Sequence, residues 1–153
     1  MTRRLWWALI LVAAIASPAY AQIGYGVRAG VSGSPAQFVF GGHLETKELA
    51  PHLTFRPNVD VGLGNGATVV GLNFDFAYWL PTKTDPWKLY VGAGPAAVIT
   101  HVSVAGFGNT STGGAFDFSF GAQNDNGLFA EIKLIAGSGP GVKFFVGYAF
   151  KKK

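Results

Sequence analysis

The chain has 153 residues, enough for one domain, with a formal charge of +4, 49% hydrophobic residues and 13% charged residues. That charged share is about half the usual value for soluble globular domains. It has no cysteine, which excludes a disulfide framework and a thiolate metal site. Gly (22) and Phe (13) are abundant, and this pairing suits strands, where glycine relieves crowding on a curved sheet and aromatics favour the pleat.

The first element is residues 1–21. Arg3 and Arg4 precede an apolar run from Leu5 to Ala16, and Ala19-Tyr20-Ala21 forms a small-residue cleavage pattern before Gln22. This reads as a cleaved secretory signal peptide, since the run is shorter than the about 18–20 residues of a spanning helix. Its removal takes two positive charges away and leaves residues 22–153 as a single exported domain. No later stretch is long and apolar enough to cross a membrane as a helix, so membrane entry requires a closed barrel.

Turn-forming clusters then recur at regular spacing: SGSP, ETKELAP, GNG, PTKTDP, GFGNTSTGG, QNDNG and GSGPG. Seven breaks predict eight strands, at 23–31, 37–45, 53–63, 68–80, 87–102, 115–122, 128–135 and 142–150, with a longer loop over 103–114. Most match the about 9–11 residues of a tilted membrane-crossing strand.

Alternate side chains of a strand point to opposite faces. One face carries Tyr25 and Val27, Phe38 and Phe40, Val59 and Val61, Phe74 and Phe76, Leu89 and Val91, Phe116 to Phe120, Ile132 and Leu134, and Phe144 to Phe150 at every second position. The other carries Arg28, His43, Glu45, Arg56, Asn58, Asp60, Asn73, Asp75, Lys88, Tyr90, Asp117, Glu131, Lys133 and Lys143. Five basic and five acidic residues share this second face, and none lies on the first. A soluble sandwich or barrel would bury the apolar face and wet the charged one. Balanced charge instead fits a mutually paired interior, and lipid outside fits the other face, where Arg or Lys at the midplane costs about 2–4 kcal/mol. The expected fold is all-β, a closed eight-stranded antiparallel transmembrane β-barrel. The expected interior network comprises Arg28, Arg56, Asp60, Asp75, Asp117, Glu131, Lys133 and Lys143.

The cleavage site, the glycine-aromatic strands, LFAEIKLIAG at 128–137 and VGYAF at 146–150 resemble the small eight-stranded outer-membrane barrels of the OmpA transmembrane domain and OmpX type. The resemblance implies a bacterial outer-membrane location, outer-membrane lipids as surroundings, and a terminal strand ending on an aromatic that the barrel assembly machinery reads. Here Lys151, Lys152 and Lys153 follow that aromatic. A monomer with no cofactor, no metal and no nucleic-acid partner is expected, having a structural or envelope-integrity role and no catalysis.

Two other readings carry chemistry. His101-Val102-Ser103-Val104-Ala105 places His101 and Ser103 two residues apart, where a histidine can activate a hydroxyl. The stretch resembles part of the His-Xaa-Ser-Asn-Ala motif of outer-membrane lipid A deacylases, which implies a lipid A-modifying hydrolase as the alternative, with Val104 in the Asn position and Asp117 facing inward. A bulge at Pro95 would switch faces in this strand. His43 and His52 flank the second turn without a carboxylate cluster and read as structural. A soluble periplasmic ligand-binding barrel is the third reading.

Overall fold

A computed structural model describes residues 24–33, 36–64, 66–82, 85–139 and 141–150. The expected signal peptide and Lys151 to Lys153 lie outside these residues. Eight strands follow one another: β1 (Gly24–Gly33), β2 (Gln37–Glu45), β3 (Leu53–Gly64), β4 (Ala67–Trp79), β5 (Trp87–Val104), β6 (Phe107–Asn124), β7 (Leu128–Gly137) and β8 (Val142–Phe150). Each pairs antiparallel with the next, and β8 pairs with β1, so the sheet closes and has no edge through the barrel wall.

The closure is staggered. Stepping between paired residues from Trp79 to Tyr90, Gly121 and Glu131, and on through β8, β1, β2 and β3, returns to β4 at Val69, ten residues from the start. Stagger and tilt are linked in a barrel, with strands typically inclined about 35–45°. Strong coiling brings neighbouring backbones close on the inner side. A Cβ at Gly94 would come within 2.8 Å of the Asp75 Cα, and one at Gly30 within 3.0 Å of the Phe145 Cα, so these inward positions admit glycine alone.

Seven of the eight expected spans agree to within two residues at both ends. The exception is β6, which begins at Phe107 rather than at 115. The expected loop over 103–114 is a correction: β5 and β6 stay paired out to Val104 and Phe107, joined by Ala105 and Gly106. Those two residues have φ of 50° and 83°, the successive positive values of a type I′ hairpin turn. Ladder hydrogen bonds override the loop-like composition of GFGNTSTGG. Nor does Pro95 carry a bulge, since β5 pairs with β6 in unbroken register from Trp87 to Val104.

The outside is apolar. Tyr25, Phe38, Val59, Phe74, Val91, Phe118, Ile132 and Phe144, one from each strand, are all exposed. Tyr25 stacks on Phe150 and Phe150 meets Tyr148, forming part of an aromatic girdle at the end that holds both termini. Every charged residue within a strand has inward parity.

Candidate functional site

The bore is built by parity. Arg28 from β1, Arg56, Asn58 and Asp60 from β3, Asn73 and Asp75 from β4, Asp117 from β6, Glu131 and Lys133 from β7 and Lys143 from β8 point inward and are buried. Water is displaced from these groups, so each charge needs a partner within the barrel.

The partners are there, and they cross the bore. Arg28 donates from Nε to Asp60 Oδ1 at 2.9 Å and from Nη1 to Glu131 Oε1 at 3.2 Å, and from Nη2 to Asn58 and Asp60. Lys133 Nζ donates to Asp75 Oδ2 at 2.9 Å and to Asn58 Oδ1 at 3.1 Å, with Asp117 Oδ2 at 3.6 Å. Lys143 Nζ lies 3.5 Å from Asp60 Oδ2. Arg56 pairs with Glu45 at 3.4 Å and with Glu131 at 3.8 Å. Asn58 and Asn73 link the carboxylates: Asn58 Nδ2 donates to Asp75 at 3.0 Å, and Asn73 Nδ2 donates to Asp60 at 3.0 Å.

Aromatics seat the two guanidiniums. Arg28 lies 4.3 Å from the Phe145 ring centre, and Arg56 lies 4.7 Å from Tyr90 and 5.1 Å from Phe129. The Tyr90 hydroxyl donates to Glu131 Oε2 at 2.6 Å, so Glu131 holds both arginines and the tyrosine. The parity that puts Glu131 and Lys143 inside also puts Phe129 and Phe145 inside, but sequence reasoning did not assign these rings a role.

All eight residues expected in the network face one bore, four basic and four acidic. The two other charges assigned to the polar face differ. Lys88 is a correction: it has inward parity but sits at the barrel end, exposed to solvent. Glu45 is at the same end, its side chain 24% exposed, and it reaches Arg56 from there. Hydrogen bonding is least complete at Arg56, whose Nε and Nη1 have only ion-pair neighbours, and at Asp117, neither of whose oxygens accepts a hydrogen bond. The chemistry available is electrostatic fixation: the ionic groups neutralise one another across the bore.

His101 and Ser103 lie on the hairpin beyond the barrel and are exposed. His101 Nδ1 is engaged by Thr110 Oγ1 at 2.8 Å, the Ser103 N–H donates to the Gly66 carbonyl at 3.1 Å, and Asp117 is buried inside at 1% exposure. Among the described residues no acid pairs with either, so a nucleophile, base and orienting carboxylate are not assembled there. His43 and His52 do not meet: His43 is inside, with Nε2 accepting from Arg56 Nη2 at 3.1 Å, while His52 packs edge-on against Tyr78. Among the described residues no three His, Asp or Glu side chains group as a metal site.

No protein-family model matches the chain, and no curated protein matches it in sequence. Solved structures do. The N-terminal β-barrel domain of Pseudomonas aeruginosa OprF aligns with a TM-score of 0.64 at 14% identity, covering 84% of this chain and 97% of that one. Neisserial surface protein A aligns at 0.63 with 11% identity, covering 86% and 96%. Ail, the attachment invasion locus protein of Yersinia pestis, aligns at 0.52 with 11% identity, covering 84% and 97%. Strand number and closure agree with these likenesses, and the chain has the fold of the small eight-stranded outer-membrane β-barrels.

Proposed function

We propose that this protein is a non-catalytic, monomeric barrel of the bacterial outer membrane, exported by a cleaved signal peptide, with a structural or envelope-integrity role. The observation that carries this reading is the division of side chains: exposed apolar groups on all eight strands around a bore of paired charges. Lipid is the solvent that suits such an exterior, because a polar backbone can cross it only in a helix or a closed barrel. Both termini then lie in the periplasm, and the VGYAF end of β8 is the segment offered to the barrel assembly machinery.

Cells lacking the protein should admit a large hydrophilic antibiotic normally excluded by the outer membrane, and re-expression should restore exclusion. Unaltered permeability would remove the integrity role. The hydrolase alternative has its own readout: overexpression should leave lipid A acylation unchanged on mass spectrometry, and loss of an acyl chain would restore His101 and Ser103 as catalytic candidates.

A further inference from the structure

β5 and β6 pair with each other over their whole length, but their outer neighbours end at different heights. β4 follows β5 up to Val102, whereas the ladder of β6 with β7 stops at Ala115 and Gly137. Above that point the Ser138 N–H still reaches the Gly114 carbonyl at 3.1 Å, and among the described residues no strand pairs with Phe107 to Gly113 on the side away from β5. The Ser138 bond fixes the direction of the free groups. In an antiparallel ladder the N–H and C=O of one residue point to the same side, and the side alternates along the strand. The Gly114 carbonyl points away from β5, so the groups of Gly108, Thr110 and Thr112 do too, three donors and three acceptors on exposed residues.

An open edge of this kind is a template for another strand, and edges are normally blunted by charge, proline or a bulge. The stretch 107–114, FGNTSTGG, contains no charge and no proline, and its unbroken register with β5 leaves no bulge. Its chemistry is also self-complementary. Antiparallel overlap of the edge with itself sets only Phe, Gly, Asn, Thr and Ser against one another, in any register, so no like charges oppose and Thr and Ser can pair across the strands. Position narrows the choice further. The edge faces the space above β7 of its own barrel, which an upright neighbour in the same membrane cannot enter before the barrel walls meet. An antiparallel copy is related by a two-fold axis perpendicular to the sheet, hence lying in the membrane plane, and so approaches from a facing membrane.

We infer that this edge pairs antiparallel with the same edge of a second copy in a facing membrane, so that the two hairpins join two bilayers. The contact goes beyond the proposed envelope role and rests on the proposed membrane location. One pairing offers few backbone hydrogen bonds against the lost freedom of two molecules, so it is weak singly and holds when many copies act together between two surfaces. Within its own bilayer the barrel stays a monomer.

The test uses the full chain reconstituted from detergent into phosphatidylcholine vesicles, with hairpins facing both ways, and follows vesicle clustering by light scattering. The expected result is a reversible rise of about twofold or more in mean scattering diameter, increasing with protein density. Vesicles bearing Ser111→Lys or Ser111→Glu, changes at an exposed position, should each stay dispersed alone and cluster when the two are mixed. Adding Thr112→Pro to both variants, which removes one free N–H and no bond to β5, should disperse that mixture again. Gel mobility of the vesicle-borne protein with and without boiling reports separately on the membrane location. Folded barrels that leave the vesicles dispersed overturn the pairing and spare that location, whereas protein that never enters the vesicles removes both. Clustering that survives Thr112→Pro overturns the pairing as well, and so does recruitment of protein-free vesicles, in which the exposed Phe107 would be meeting lipid.

Discussion

Glu131 concentrates the electrostatics of the bore on one side chain. It accepts from Arg28 and Tyr90 and faces Arg56, so removing it leaves two buried guanidiniums short of a counter-charge. Glu131→Leu should destabilise the barrel by about 3–5 kcal/mol in urea titrations of the micelle-bound protein. Asp117 offers the contrast, because Lys133, with which it forms its one ion pair among the described residues, keeps Asp75 at 2.9 Å and Asn58 at 3.1 Å without it. Asp117→Asn should cost no more than about 1 kcal/mol; equal losses for the two variants would mean that the bore is not organised around Glu131. At this scale the sequence revealed which charges face inward, because period-two alternation alone decides it. It did not reveal who pairs with whom. Arg28 on β1 reaches Asp60 on β3 and Glu131 on β7, contacts set by stagger and curvature rather than by position along the chain. Lys88 escaped for a related reason: alternation assigns a face but not a depth, and this lysine stands at the barrel end.

β6 passes through two environments. Its lower part carries Phe116, Phe118 and Phe120 outward in the apolar belt, whereas its upper part projects beyond the belt with Phe107 at 82% exposure. The same substitution should therefore have depth-dependent consequences. Phe118→Arg should cost about 2–4 kcal/mol in lipid vesicles, and Phe107→Arg should be within about 0.5 kcal/mol of the parent. Similar costs at both positions would place the lipid boundary elsewhere. Strands with alternating large apolar groups were legible almost to the residue, as β2 and β8 show. The upper half of β6 was not, since Gly, Asn, Ser and Thr carry no hydrophobic alternation and read as a loop. It is a strand because β5 supplies hydrogen-bond partners over its whole length and Ala105-Gly106 turns tightly enough to keep the register.

Closure joins these elements into one object with an inside and an outside. An eight-stranded barrel has an interior that side chains just fill. Here Tyr90, Phe129, Lys133 and Phe145 are among the largest fully buried residues, and ion pairs span the space between them. Purified monomer in a planar bilayer should accordingly show no steady unit conductance; regular single-channel steps would require a continuous water path past Lys133. The central claim is that lipid, not protein, covers the apolar belt. Its most direct test is gel mobility of the protein from a membrane fraction, loaded in detergent with and without boiling. The account predicts a membrane-associated protein that migrates differently before and after boiling, as a detergent-resistant closed barrel does. A soluble protein with the same mobility in both lanes would contradict it, and the inner and outer faces assigned here would have to be exchanged.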